Sequence, residues 1–262
     1  MHTLKDKVIV ITGSSRGIGL ATALRVAKEG AKVVIIGKSE TPHAQLDGTI
    51  YTAADAVKKA GGDALAIKMD LRFPEEIEAG FKKIESHFGR IDTLINNASA
   101  INLASVEKVT CKQYDLMHSI NGRGSFLCAQ HALPLLKKAE NPHILNDSPP
   151  FDLLQDYFAH MGSAYVGAKY LMSIWTKTMS LELKPYGIAV NSIWPTRPIA
   201  TAAVKNILPH FLKGSRKPEI VAEATFHVIT QDASTGTGQF YTDEGILKSA
   251  GINDLSIYET EY

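Results

Sequence analysis

The feature that most constrains the fold is an apolar run followed by a glycine-rich turn near the amino terminus. Lys7 to Thr12 contains the run Val-Ile-Val-Ile, which is typical of a strand buried on both faces of a parallel sheet. The turn Thr12–Gly19 follows at once, and Ile18 to Glu29 then has the pattern of a helix that ends before Gly30. This strand, turn and helix predict the first unit of a doubly wound α/β fold.

The glycines of this turn are spaced GxxxGxG. A glycine-rich turn that enters a helix exposes backbone N–H groups at the positive end of the helix dipole, where a pyrophosphate can bind without obstruction by side chains. A plain tight turn is the alternative, but the strand before it and the helix after it favour phosphate binding. The sequence therefore predicts dinucleotide contacts from Gly13, Ser14, Ser15, Arg16, Gly17, Ile18 and Gly19.

Strand and helix patterns alternate through the rest of the chain without a repeat or a linker, which predicts a single domain over residues 1–262. A hydrophobic content of 45% is ample for its core. The further predicted strands are Lys32–Ile36, Ala64–Met69, Thr93–Ile95, His143–Asn146, Ile188–Ile193 and a last one near Phe240–Asp243. The predicted helices between them are Tyr51–Lys59, Glu75–His87, Cys111–Leu136 and Ala164–Leu183.

The residues that follow the second, third and fourth strands indicate which cofactor binds. An acidic residue after the second strand would bind ribose hydroxyls, whereas a basic one accommodates a 2′-phosphate. Lys38 stands there with Arg16 nearby, which favours NADP(H) over NAD(H), although solvated surface charges are the alternative. Asp70 is placed to meet an adenine amino group. Asn97 and its neighbour Asn96 either line the cofactor or link the strands.

Composition excludes several other classes of protein. The net charge of +1, from 28 basic and 27 acidic residues, gives no broad electrostatic reason to expect nucleic acid or an anionic membrane as partner. Cys111 and Cys128 form no CxxC pair, and the nine histidines form no HExxH pattern, so no metal site is predicted. No signal peptide or membrane-spanning run is recognisable, so a cytoplasmic protein with reduced thiols is expected.

Tyr165 and Lys169 form the predicted reaction centre. Four residues apart in a helix, they lie on one face, although the same spacing also occurs in many surface helices. A nearby ammonium favours the phenolate and makes a tyrosine a usable general acid and base. Asn121, a poor helix former within Cys111–Leu136, requires a special role.

Taken together, these motifs resemble those of the short-chain dehydrogenase/reductase family from about Lys5 to Gly245. The resemblance implies about seven parallel strands, a pocket at their carboxyl ends and a homodimer or homotetramer. It also implies that Tyr165 exchanges a proton with the substrate oxygen, that Lys169 lowers the pKa of the tyrosine and binds the nicotinamide ribose, and that Asn121 holds a water of the proton relay. The motifs are Thr12-Gly13-x-x-x-Gly17-Ile18-Gly19, Asp70, Asn96-Asn97-Ala98, Asn121, Tyr165-x-x-x-Lys169 and Pro195.

Within the family, several segments resemble the hydroxysteroid dehydrogenase-like protein 2 group. Animal members of that group carry an added sterol-carrier domain and organelle addressing, and this sequence is expected to comprise the dehydrogenase domain only. The resemblance does not establish a steroid substrate. The segments are Gly37–Ser39, Pro42 to Leu46, Gly48–Ala54, His143–Asn146 and Ser148–Pro150.

The sequence departs from the family pattern where the catalytic serine is usual, because Pro149 stands at that position. Ser148 is one residue early, and neighbouring side chains of an extended chain point to opposite faces unless the prolines bend it. Ser163 is a second candidate, and the absence of any such serine is a third possibility. Asp147 replaces a usual apolar residue, and Thr196 replaces a usual glycine.

The expected function is therefore that of an NADP(H)-dependent oxidoreductase acting on a carbonyl or secondary alcohol of a fairly apolar small molecule. The alternative is a cofactor-binding sensor or scaffold without chemistry, which Pro149 motivates. Substrate specificity is expected from Ser99–Leu103, Pro150–His160 and Pro198–Phe211, with a mobile lid within Arg197–Ser215.

Overall fold

The computed structural model describes residues 1–42, 46–152 and 161–261. They contain one seven-stranded, all-parallel sheet in the order β3-β2-β1-β4-β5-β6-β7, so the predicted doubly wound α/β fold is confirmed. The order reverses beside β1, which is the point where such sheets open a crevice at the carboxyl ends of their strands. The strands are β1 Val8–Thr12, β2 Lys32–Gly37, β3 Asp63–Lys68, β4 Thr93–Asn96, β5 His143–Asp147, β6 Ala189–Trp194 and β7 Phe240–Thr242.

Helices cover both faces of the sheet, because alternate residues of each strand belong to different apolar clusters. Ile9 and Ile11 pack with one cluster, whereas Val8 and Val10 pack with the other. Numbered over the described residues, the helices are α1 Gly17–Ala27, α2 Ile50–Lys59, α3 Pro74–Phe88, α4 Cys111–Met117, α5 Ser125–Leu136, α6 Ser163–Glu182, α7 Ala202–Ile207, α8 Glu219–Ile229 and α9 Asp243–Ser249. Short 3-10 turns occur at Lys184–Tyr186, Pro209–Phe211 and Ser256–Tyr258.

The predicted strands and most predicted helices agree with the observed bounds to within two residues. The predicted helix Cys111–Leu136 is wrong in one respect, because a π-helical segment, His118–Gly124, separates α4 from α5. The sequence did not predict α8, which has buried residues almost all round because it packs between α1 and α9. A helix buried on every side loses the amphipathic pattern by which helices are recognised.

The segment after β6 is where the sequence predicts a mobile lid, and that mobility stays a prediction. The segment consists of α7 and the turn Pro209–Phe211, and a bridge between Ile199 and Arg216 closes its base. Arg216 is buried, and its guanidinium lies 3.0 Å from a carboxylate oxygen of Glu244. No helix within the described ranges is long and apolar enough to cross a membrane, and those ranges hold no group of residues suited to a metal ion.

Candidate active site

A cavity of about 850 Å³ lies at the carboxyl edge of the sheet. The residues that directly follow β1 to β6, or end those strands, all contribute to its wall, as the topology requires. Ten predicted site residues line the cavity, whereas Ser14, Gly19, Asn121 and Ser148 lie behind its wall. The ten are Gly13, Ser15, Arg16, Gly17, Ile18, Lys38, Asp70, Asn97, Tyr165 and Lys169.

Two glycines of the first turn hold positions where no side chain fits. A Cβ on Gly13, which has a φ of +67°, would lie 2.8 Å from Cα of Ala98. A Cβ on Gly19 would lie 2.6 Å from Nδ2 of Asn97 and 2.7 Å from the Gly13 carbonyl oxygen. Contacts this short force the backbone to shift, so both positions require glycine. The bare backbone at this end of α1 fits a bound pyrophosphate.

Ser14 has a structural role in this turn. Its hydroxyl donates to the Ile11 carbonyl at 2.7 Å and accepts from the Ile36 N–H at 3.1 Å. The serine is fully buried and joins β1 to β2 beneath the cavity. Its predicted contact with the cofactor therefore has no support from the position of its side chain.

Two cations, Arg16 and Lys38, line the cavity near the ends of β1 and β2. Arg16 donates from Nε to the Asp47 carbonyl at 2.9 Å and from Nη2 to the Gly48 carbonyl at 2.7 Å. Partial burial lowers the pKa of Arg16, and Asp47 opposes that change, yet a guanidinium stays charged. Lys38 is exposed, and no other described residue forms a hydrogen bond or ion pair with it.

Asp70 occupies the predicted position after β3, but its carboxylate is already bound. Arg72 donates from Nε to both carboxylate oxygens at 3.0 Å, and its backbone N–H donates to Oδ1 at 3.1 Å. Burial raises the pKa of Asp70, but the bonds and charge of Arg72, with the charge of Lys38, outweigh it and leave the pKa below its usual value. The role of Arg72, which stands only two residues away, was not predicted from the sequence.

Asn121 lies within the π-helical segment. Its side chain is fully buried, accepts from the Ala100 N–H at 2.8 Å and donates to the Ala100 carbonyl at 3.0 Å. The side chain thus joins His118–Gly124 to the loop after β4, which forms part of the cavity wall. Its predicted role in holding a relay water stays a prediction.

Asn96, the last residue of β4, and Asn97, which follows it, take different ones of the two roles that the sequence left open. Asn96 donates to Oδ1 of Asn146 at 2.8 Å, and Asn146 donates to the Thr176 hydroxyl at 2.8 Å. Asn96 therefore links β4, β5 and α6. Asn97 lines the cavity while its amide donates to the Thr12 carbonyl at 2.8 Å, so it both supports the turn and faces the cavity.

Tyr165 and Lys169 project from α6 into the cavity and are 7% and 2% exposed. The Lys169 ammonium donates to the Asp147 carbonyl at 2.6 Å and lies 3.6 Å from Oδ2 of the same residue. Burial lowers the pKa of Lys169, and Asp147 opposes that change; burial raises the pKa of Asp147, and Lys169 opposes it. Asp147, which departs from the family pattern, is therefore the counter-charge of the lysine.

Neither candidate serine reaches the cavity. Ser148 is fully buried, and its hydroxyl has no hydrogen-bond partner in the described part of the chain. The backbone N–H of Ser148 donates to the Ile193 carbonyl at 3.1 Å, so the strand pairing continues through Ser148. The Ser148 side chain therefore lies on the face opposite to that of Asp147. Ser163 is exposed at the start of α6, away from the cavity wall. Pro149 faces Tyr165 and Lys169 in a small adjoining recess.

The remaining wall is largely apolar. Two of the three segments predicted to set specificity, Ser99–Leu103 and Pro198–Phe211, contribute residues to this wall, and their role in specificity stays a prediction. In the third, Pro150–His160, the described residues 150–152 do not line the cavity, and residues 153–160 lie outside the described residues. The apolar lining residues here are Ile101, Leu116, Ile120, Met161, Trp194, Pro198, Ile199, Val204, Leu208 and Phe211.

Thr196, which replaces a usual glycine, is anchored by an acidic residue of the last helix. Its backbone N–H and its hydroxyl donate to Oδ1 of Asp243 at 2.8 and 2.7 Å. This contact holds the start of the segment after β6 against α9. The sequence interpretation missed it because the two residues are 47 positions apart.

Comparison with known proteins agrees with this geometry. Residues 7–210 match the family model described as short chain dehydrogenase. The chain is 45% identical over 254 residues to hydroxysteroid dehydrogenase-like protein 2 of Danio rerio, covering 97% of this chain and 60% of that protein. It is 43% identical over 251 residues to the Homo sapiens protein of the same name, covering 95% and 59%. The chain thus spans about 60% of the length of these curated relatives.

A solved structure of a short chain dehydrogenase is also similar to this chain in sequence and in fold. The crystal structure of a short chain dehydrogenase from Mycobacterium thermoresistibile is 42% identical, covers 98% of this chain and 91% of that one, and superimposes with a TM-score of 0.90. The resemblance to the hydroxysteroid dehydrogenase-like protein 2 group is therefore confirmed.

Proposed function

Because the chain belongs to the short-chain dehydrogenase/reductase family of oxidoreductases, which use nicotinamide cofactors, we propose that it interconverts a carbonyl and a secondary alcohol with NADP(H). The observation that carries this proposal is the pair Tyr165 and Lys169, which are nearly buried and line one cavity together with the glycine-rich turn. A phenol beside a desolvated ammonium is suited to proton transfer at neutral pH.

In the proposed reaction Tyr165 is the general acid and base. During reduction its phenol gives a proton to the carbonyl oxygen of the substrate, and during oxidation the phenolate takes that proton back. The nicotinamide, when bound, supplies or accepts the hydride. Lys169 favours the phenolate through its positive charge and is also suited to hydrogen bonding with ribose hydroxyls. Burial of both residues excludes the water that would otherwise screen this charge.

NADP(H) is preferred over NAD(H) in this proposal because of charge at the ends of β1 and β2. Lys38 and Arg16 line the cavity, and no acidic side chain stands at the position that would bind a free ribose hydroxyl. A 2′-phosphate offers several acceptor oxygens to these two donors. The exposed ammonium of Lys38 is free to turn towards it, whereas Arg16 is already oriented by the carbonyls of Asp47 and Gly48.

The substrate is proposed to be a fairly apolar small molecule. The cavity that Tyr165 lines has many aliphatic and aromatic side chains in its wall, among them Met161, Trp194 and Phe211. Such a wall recognises shape and apolar area, so a panel of carbonyl compounds is required to identify the substrate class.

The test has two stages, of which the first measures binding and the second turnover. Titration of the protein with NADPH and NADH, followed by nicotinamide fluorescence, is expected to give the lower dissociation constant for NADPH. The NADPH complex is then mixed with apolar aldehydes, ketones and acyl thioesters, and loss of reduced cofactor is recorded. Turnover of at least one class is expected.

Pro149 motivates one competing function, a sensor or scaffold that binds the cofactor without chemistry. A proline cannot donate a hydroxyl to the substrate oxygen, and neither Ser148 nor Ser163 lines the cavity. Tight NADPH binding without turnover across the whole panel would favour this function over the oxidoreductase.

A further inference from the structure

Asp147 is the last residue of β5 and turns its side chain into the cavity. The alternation of side chains along a strand places it on the same face as Pro149, the position of the family's usual serine, and opposite to Ser148. A carboxyl group therefore lies at the reaction end of the cavity, where the family pattern has an apolar residue. The proposed proton transfer does not itself require it.

The carboxyl group of Asp147 has few partners. Its Oδ2 lies 3.6 Å from Nζ of Lys169, while its Oδ1 is buried and accepts no hydrogen bond from any described residue. The adjoining strands present uncharged residues here, because Ile193 of β6 is its register partner and β4 ends at Asn96. The titratable groups that face it from α6 are Lys169 and Tyr165, which line the same cavity.

Lys169 is held by both parts of Asp147. The main-chain carbonyl accepts from the ammonium at 2.6 Å, and the carboxyl group balances its charge at 3.6 Å. The Trp194 ring centroid lies 5.4 Å from the same nitrogen on another side. The ammonium is thus held in position, and its positive charge is offset when the carboxyl group of Asp147 is ionised.

We propose that Asp147 is a positioning residue that fixes the Lys169 ammonium and, when ionised, raises the proton affinity of Tyr165. This inference rests on the proposed acid–base role of Tyr165 and names the group that regulates it. An ionised Asp147 offsets part of the positive charge of Lys169, so the phenolate is stabilised less than by the ammonium alone. A protonated Asp147 leaves the full positive charge of Lys169 beside the phenol. The three groups therefore titrate as a coupled set.

The direction of the effect follows from the order in which the groups lose protons. Burial raises the pKa of Asp147, but a carboxyl group paired with an ammonium still ionises before a phenol does. The carboxylate is therefore negative while Tyr165 titrates. Removing that negative charge lowers the pKa of the tyrosine. At an effective dielectric constant near 20 the change is about one pH unit for charges about 12 Å apart, and it is larger for closer charges.

The experiment measures the tyrosine directly and needs no turnover. Ultraviolet phenolate absorbance is titrated with pH in the intact protein and in its Tyr165→Phe variant, and the difference isolates Tyr165. The same pair of titrations is repeated in the Asp147→Asn and Asp147→Leu backgrounds. Asp115→Asn is the matched control, because Asp115 is an exposed carboxylate on α4 outside the cavity wall.

Both Asp147 variants are expected to shift the Tyr165 titration to lower pH by about one unit or more, with Asp115→Asn unchanged. If the protein turns over a substrate, the tyrosine limb of the kcat/KM pH profile shifts by the same amount. A residue with a merely structural role would change the melting temperature and leave the phenol titration in place. The proposal is overturned if the Tyr165 titration in folded Asp147→Asn protein stays where it is or moves to higher pH. Because asparagine is nearly isosteric with aspartate, this variant keeps the test valid even where Asp147→Leu does not fold. Failure of all turnover would count against the oxidoreductase function instead.

Discussion

Replacing Lys38 by alanine should weaken the binding of NADPH far more than that of NADH. In this account the Lys38 ammonium faces the 2′-phosphate, which only NADPH carries. Two unit charges 4 Å apart interact by about 1 kcal/mol in water and about 4 kcal/mol at an effective dielectric constant of 20. Because Lys38 is exposed, the solvated limit applies, and we expect a loss of about 1 to 2 kcal/mol, which is a five- to thirtyfold rise in Kd.

The assay is a fluorescence titration with both cofactors at low and high salt. Added salt should reduce the difference between intact protein and Lys38→Ala, since screening already weakens an exposed charge pair. Lys59→Ala is the matched control, because Lys59 is an exposed lysine of α2 that does not line the cavity. Equal losses of NADPH and NADH affinity, or no loss at all, would refute the assignment of Lys38 to the 2′-phosphate.

Three further substitutions test other parts of the structure. Gly19→Ala should lower both the NADPH affinity, measured by titration, and the free energy of unfolding, measured by calorimetry. The loss of stability should be about 1 to 3 kcal/mol, because the new Cβ would lie 2.6 Å from Asn97 Nδ2. Asn121→Ala should lower the free energy of unfolding, measured by chemical denaturation, by about 2 to 4 kcal/mol, because the N–H and the carbonyl of Ala100 both lose their partner. Burial lowers the pKa of His143 to about 4, so the unfolded chain takes up a proton at a higher pH than the folded protein does. The free energy of unfolding should therefore fall by roughly 3 kcal/mol as the pH drops from 6.5 to about 4, and His143→Asn should remove that part of the decline.

The order of elements was predictable because the central strands of the sheet are buried on both faces. A strand such as β1 must be continuously apolar, and the turn after it must be glycine-rich wherever backbone atoms approach as closely as Gly13 and Ala98 do. These are local requirements, so the chain displays them locally. The lining positions at the ends of the strands follow from the topology in the same way.

The parts that sequence interpretation missed depend on contacts between distant residues. The π-helical segment depends on Asn121 and Ala100, which are 21 residues apart, and Thr196 depends on Asp243. The position of Ser148 was predictable in part, because alternation along a strand already set it opposite to the cavity. The role of Asp147 was not, because its meaning depends on Lys169, which α6 brings to within 3.6 Å of it.

The central claim, that Tyr165 carries the proton transfer, is tested most directly by Tyr165→Phe. The measurement is oxidation of NADPH by the best carbonyl substrate of the panel, with the NADPH dissociation constant determined on the same preparations. Tyr186→Phe is the control, because Tyr186 is exposed and lies away from the cavity wall. We predict that Tyr165→Phe loses nearly all turnover, by a hundredfold or more as is typical on removing a general acid, while NADPH affinity stays within about threefold. Unchanged turnover in Tyr165→Phe protein would contradict the account.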